Sequence, residues 1–115
     1  MVTFGMATIE QFGALDIRVG TVVEAAPFPE ARKPAIKLRI DFGADLGIRR
    51  SSAQLTVHYA PSDLIGRQVI AVVNFPPRRI AGYESEVLVL GAMPTAQEVI
   101  LLTPDKSVAN GTHIG

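Results

Sequence analysis

Few side chains in this 115-residue chain are equipped for catalysis. His58 and His113 are the only histidines, and neither has a carboxylate or a second histidine at metal-ligand spacing along the sequence. Both read as surface or structural histidines. Ser51 and Ser52 lack the G-x-S-x-G surroundings that expose a serine nucleophile. The ten glycines are scattered at turns and form no phosphate-cradling loop. Asp41, Asp45, Glu84 and Glu86 carry oxygens suited to a divalent ion, yet their positions fit turns and strand ends. Cysteine is absent, which removes disulfide and thiolate chemistry and is compatible with a reducing compartment. The expectation is a binding protein with no catalytic residue, no metal and no cofactor.

The chemistry that does stand out is that of binding. Formal net charge is zero, but six basic residues between Arg32 and Arg50 (Arg32, Lys33, Lys37, Arg39, Arg49, Arg50) meet only Asp41 and Asp45, leaving a local excess of four positive charges. Arg78-Arg79 forms a second basic site. A solvated strand face is one reading of this pattern. The other is the basic outer surface with which some barrels grip single-stranded nucleic acid. Two phenylalanines lie in links rather than in strands: Phe28 between Pro27 and Pro29, and Phe75 before Pro76-Pro77. Proline fixes the backbone and cannot extend a ladder. These rings either cap a core or line a preformed apolar groove, rimmed by arginine, that holds extended peptide or stacked bases.

The elements that must carry these residues are mostly strands. With 48% apolar and 19% charged residues, the chain is expected to fold as one domain over 1–115, its core beginning near residue 15. Thr8 with Gln11 forms a capping box for a short N-terminal helix ending at Gly13. "DIRVGTVVEA" alternates as a strand, with Gly20 marking a bulge or bend. "AIKLRID" is the clearest strand, with Ile36, Leu38 and Ile40 inward and Lys37 and Arg39 outward. "IRRSSAQLTVHY" reads as a third, and "APSDLIG" as one helical turn closed by Gly66. "RQVIAVVNF", "SEVLVLGAM" and "EVILLT" complete the set.

Short strands with a helical turn between the third and fourth predict an all-β closed barrel of the oligonucleotide/oligosaccharide-binding (OB) type. Val19, Ile36, Leu38, Ile40, Val72 and Leu88 are the expected interior. The unbroken run from Val69 to Val73 needs cover on its outer face as well, from a helix, a terminal extension or a partner chain. No apolar run approaches the ~20 residues of a membrane span, and the first ten residues lack the pattern of a signal peptide. A cytoplasmic protein without membrane insertion is expected.

Three segments in order, "LDIRVGTVVEAAPFPEARKPAIKLRIDFG", "SSAQL" and "LIGRQVIAVVNFPPRRIAGYESEVLVLGA", resemble the tRNA-binding domain family over nearly the whole chain. Members occur as appendages of aminoacyl-tRNA synthetases and as free dimers, and the likeness is greatest to an export-related chaperone branch. The resemblance implies an OB fold, a homodimer built with the terminal extensions, and binding without catalysis. As partners it implies unfolded or precursor polypeptides, tRNA as a second ligand, and a protein-translocation component. "FPEARKP" and Val87-Leu88 are more apolar than the wider family pattern, which favours a greasier ligand. The candidate ligand-binding set, for peptide or tRNA, is Phe28, Arg32, Lys37, Arg39, Ser52, Gln54, Asn74, Phe75, Arg78, Arg79 and Ser85. The loop Asn74 to Tyr83 would be held open by Pro76-Pro77 and turned back by Gly82.

Overall fold

The computed structural model describes residues 5–115; the expected domain span of 1–115 therefore includes four residues that lie outside the described ones. Thr8 caps helix α1 (Ile9–Gly13) as the capping box predicts: its hydroxyl accepts from Gln11 N at 3.1 Å, and its own N–H donates to Gln11 Oε1 at 2.8 Å. The body is a five-stranded antiparallel sheet made of β1 (Ile17–Pro27), β2 (Ile36–Asp41), β3 (Ile48–Ala53), β4 (Gln68–Val72) and β7 (Leu88–Val89), in the order β3-β2-β1-β4-β7. β1 is long enough to serve two neighbours. Its first half pairs with β4 (Ile17 opposite Val72, Thr21 opposite Gln68), and its second half pairs with β2 (Thr21 opposite Asp41, Pro27 opposite Ile36).

This bend rolls the sheet into the expected OB-type barrel. The ring is completed between β3 and residues 85–87 with side chains standing in for a regular ladder. Arg50 N donates to Glu86 Oε1 (2.9 Å), Ser52 N to Ser85 Oγ (3.1 Å) and Ser51 Oγ to Val87 O (2.9 Å). One backbone bond, Glu86 N to Arg50 O at 2.8 Å, joins them. The helical turn between the third and fourth strands of this sheet is a 3₁₀ helix over Pro61–Asp63, followed by Gly66 at φ +85°.

Ile36, Leu38, Ile40, Phe42, Leu55, Leu64 and Val69 fill the barrel together with Val87 and Val89. Gly20 makes this possible in a way distinct from the expected bulge. A Cβ there would stand 2.6 Å from Ile40 Cγ2 and 2.7 Å from Phe42 Cδ1, so glycine is the residue that lets both side chains reach the wall. The bulge itself lies between Val22 and Glu24. Val22 thereby stays inside while Val23 and Glu24 turn outward.

Three of the expected interior residues are corrected. Leu88 is 47% exposed, whereas Val87 and Val89 are buried; in a wholly apolar run, alternation has no internal reference, and a one-residue shift exchanges the faces. Val19 and Val72 are buried, but in a second cluster outside the barrel with Ile17 and Ile70, covered by Leu15, Leu90 and Ile114. The outer cover for Ile70 and Val72 therefore comes from the two terminal segments together with Leu90 beyond β7. The expected fifth strand is broken into β7 and β8 (Gly91–Ala92), the latter paired with β9 (Ile100–Leu101). The third strand ends at Ala53, earlier than expected.

Candidate ligand-binding site

The alternation of β2 sends Lys37 and Arg39 to the outer surface of the barrel, opposite the buried Ile36, Leu38 and Ile40. In the antiparallel register Lys37 faces Ser52 and Arg39 faces Arg50. The loop between β1 and β2 folds Phe28 inward, its N–H bonded to Ala35 O at 3.2 Å. Only 3% of Phe28 is exposed.

The proline-arginine link after β4 is not an open loop throughout. It contains a two-stranded hairpin, β5 (Arg78–Ile80) and β6 (Tyr83–Ser85), joined by the two-residue turn Ala81-Gly82. Both turn residues have positive φ, +46° for Ala81 and +83° for Gly82. That pair of left-handed residues is what a tight hairpin turn matching the strand twist requires, and Gly82 plays the expected part. The hairpin lays Tyr83 against Phe28, ring centroids 5.5 Å apart and planes at 68°. The Tyr83 hydroxyl donates to Leu38 O at 3.2 Å. Lys37 Nζ rests above both rings, 4.6 Å from the Phe28 centroid and 5.1 Å from that of Tyr83, and the Arg50 guanidinium lies 5.6 Å from Tyr83. Burial holds the Tyr83 phenol above its ordinary pKa, with the nearby Arg50 and Arg39 cations pulling the other way.

Beside this cluster runs a groove of about 450 Å³. Val23, Ala25, Ala26, Ile65 and Tyr83 form its floor and walls, above the buried Leu38, and Glu24, Lys37 and Arg39 its rim. The basic run is much less bare than in the sequence. Arg39 pairs with Glu24 at 3.2 Å, and Arg50 with Glu86 at 3.4 Å and Glu84 at 3.6 Å. Arg79 reaches Glu84 at 3.9 Å. Three glutamates from other segments thus meet the local positive excess.

The predicted site residues fall into separate neighbourhoods. Lys37 and Arg39 border the groove, with Phe28 beneath Lys37. Ser52 and Ser85 are joined across the barrel seam, and Gln54 is half-buried just beyond β3. Arg32 is exposed in the β1–β2 loop. Asn74 anchors the start of its link, accepting from Asp16 N and donating to Ala14 O, both at 2.8 Å. Phe75 follows it at 43% exposure. Arg78 and Arg79 stand exposed on the hairpin.

Sequence reading missed Tyr83, Val23 and Ile65 as lining residues. A tyrosine directly after an Ala-Gly turn and an isoleucine just before Gly66 were the available signals. It also missed the carboxylates of the two histidines: His58 Nε2 lies 2.9 Å from Glu98 Oε1, and His113 Nδ1 lies 3.7 Å from Asp16 Oδ1. Among the described residues no group of three or more His, Asp or Glu has a metal-holding arrangement, and no helix is long and apolar enough to cross a membrane.

Comparison with known proteins places this geometry. The family model for a putative tRNA binding domain matches residues 17–113. A crystal structure of the chaperone CsaA from Bacillus anthracis str. Ames is 58% identical, with a TM-score of 0.92 over 96% of this chain and 100% of that one. A CsaA chaperone structure from Picrophilus torridus is 50% identical, with a TM-score of 0.88 over 96% and 100% of the two chains. Methionine–tRNA ligase of Porphyromonas gingivalis is 41% identical over 105 residues, 91% of this chain. The chain spans about 15% of the length of that enzyme.

Proposed function

This chain belongs to the putative tRNA-binding domain family, and from that premise we propose that it is a non-catalytic chaperone-type protein that holds unfolded or pre-export polypeptide along the β1–β2 groove. The lining of that groove carries the reading. Its floor is apolar and already exposed, with Val23 at 39% and Ile65 at 50%, while the charged groups are confined to the rim. An extended polypeptide offers apolar side chains to such a floor and backbone or charged groups to such a rim. The pairing of Arg39 and Arg50 with glutamates supports a ligand less anionic than a phosphate backbone. The near full-length likeness to two chaperone structures supports the same side. In a pre-export role the clients are precursor polypeptides, passed on in the cytoplasm to a translocation component.

A second copy of the chain belongs to this proposal. Helix α1 buries none of its residues. Met6 (93% exposed), Ile9 (76%) and Phe12 present an apolar surface there, and Met93, Ile100 and Leu102 present another around β8 and β9. Surfaces of this kind are commonly covered by a partner, and two-fold pairing is the commonest arrangement.

A tRNA reading is favoured by the family and by the exposed Arg78-Arg79 pair. Titration calorimetry against a permanently unfolded polypeptide and against tRNA, over a range of salt, separates the two. Val23→Asp with Ile65→Asp is expected to weaken polypeptide binding by ~tenfold or more, with a negative heat-capacity change in the unmodified chain. Arg78→Ala with Arg79→Ala is expected to lower the salt slope for tRNA, by ~0.7 for each phosphate that the arginines neutralise. Retained tRNA binding with no detectable polypeptide binding would reverse the order of the readings.

A further inference from the structure

We propose that Asn110 is a latent deamidation site, masked while the C-terminal segment is clipped to β1 and unmasked when that segment lifts. The dipeptide Asn110-Gly111 is intrinsically reactive, because a glycine after asparagine leaves its amide nitrogen unhindered by a Cβ. The fold demands glycine here. Gly111 has φ +88°, and a Cβ would stand 2.6 Å from Phe42 O.

The same fold restrains both reacting atoms. Gly111 N donates to Val19 O at 2.7 Å. The Asn110 side-chain oxygen accepts from Thr21 Oγ1 at 2.6 Å and from Gln68 Nε2 at 3.4 Å. Gln68 also grips the backbone two residues earlier, with Nε2 donating to Val108 O (2.7 Å) and Oε1 accepting from Val108 N (3.1 Å). Beyond the dipeptide, Val19 N to Thr112 O and Ile114 N to Ile17 O, each 2.9 Å, continue the strap. A polar cleft of about 140 Å³, lined by Arg18, Phe42, Gly43, Ala44 and Asp45, reaches Asn110 and Gly111 and admits water to them.

When the strap lifts, the Gly111 nitrogen gives up its proton and attacks Asn110 Cγ. The N–Cγ bond forms, the Cγ–Nδ2 bond breaks, and ammonia leaves with the proton. Water then opens the succinimide ring at one of its two carbonyls, giving aspartate or isoaspartate. Isoaspartate adds a backbone methylene between residues 110 and 111, which takes Gly111, Thr112 and Ile114 out of register with β1. Ile114 then no longer covers Ile17, Val19, Ile70 and Val72. The modification is a one-way release of the strap, timed by how often it opens.

The test follows isoaspartate formation in the full chain at mildly alkaline pH, by isoaspartyl methyltransferase labelling and peptide mapping, with Asn110→Gln as the blank. The native chain is expected to react ~100-fold more slowly than the same chain unfolded in denaturant, since reaction waits on local opening. Gln68→Ala, which removes the clip, is expected to react ~tenfold faster than the native chain, with Gly111 amide exchange rising by a similar factor. Thr21→Val provides the same comparison if Gln68→Ala fails to fold. Equal rates in the native and unfolded chains would overturn the proposal, as would a loosening variant whose Gly111 exchange rises while its isoaspartate rate does not.

Discussion

Lys37 Nζ sits 4.6 Å from the centroid of a Phe28 ring that is itself only 3% exposed, so the phenylalanine supports a rim cation from below. The two positions are therefore expected to separate fold from binding. Phe28→Ala should lower stability by ~3–5 kcal/mol, the range for truncating a buried aromatic. Lys37→Met should cost about 1 kcal/mol or less while changing affinity for ligand. Denaturant titration of the two variants checks this, and a Phe28→Ala midpoint equal to that of the parent would contradict the buried placement.

The interior assignment is tested by two leucines. Leu38, 1% exposed, should cost ~2–5 kcal/mol on truncation to alanine. Leu88, 47% exposed, should cost less than about 1 kcal/mol. Similar losses for both would mean that the strand bearing Leu88 has its opposite face inward.

Ala81 holds φ +46°, a left-handed conformation that costs a residue with a Cβ about 1 kcal/mol. Asparagine tolerates that region better and suits the first position of such a turn. Ala81→Asn should raise stability by ~0.5–1 kcal/mol, read as a higher melting temperature. A lower melting temperature would rule out the turn as described.

Because burial raises the Tyr83 pKa in the folded chain above its unfolded value of 10.0, the folded state holds the phenolic proton more tightly. The associated stability is complete below that unfolded value and is lost as pH rises through the higher folded one. Tyr83→Phe should therefore flatten the alkaline end of the stability profile, while losing the hydrogen bond to Leu38 O. Parallel alkaline limbs for parent and variant would exclude Tyr83 as their source.

For the second copy, light scattering should report about twice the 12.3 kDa chain mass in the micromolar range. Ile9→Asp with Phe12→Asp should return the single-chain mass without unfolding the barrel, because no residue of α1 belongs to the buried core. A parent that already scatters as 12.3 kDa would end the proposal.

What could be read from the sequence was what is decided locally. The Thr8–Gln11 box, the Ile36-Leu38-Ile40 alternation, Gly66 and Gly82 each depend on neighbours within a few residues, and each appears as expected. The site was legible only in part, because its character depends on which strands become neighbours. Nothing near Arg39 or Arg50 in the chain announces Glu24, Glu84 or Glu86, and the ion pairs arise only when β1, the β5–β6 hairpin and the residue after it close around β2 and β3. Whether Phe28 caps the core or lines a groove is open in the sequence, because the Tyr83 that packs against it arrives on a hairpin much later in the chain. The register of Val87-Leu88-Val89 was undetermined for a related reason: three apolar residues in succession carry no polar mark to show which face meets water.

The seam of the barrel has a consequence for self-association. The outward backbone groups of Arg50 and the N–H of Ser52 would otherwise offer a strand edge on which a foreign strand could template itself. Glu86 Oε1, Glu86 N and Ser85 Oγ already occupy them. A stray strand would have to evict a carboxylate and a hydroxyl before it formed its first bond. A protein proposed to handle unfolded chains is thereby guarded against co-aggregating with them along this edge, leaving sticky polypeptide to the apolar groove.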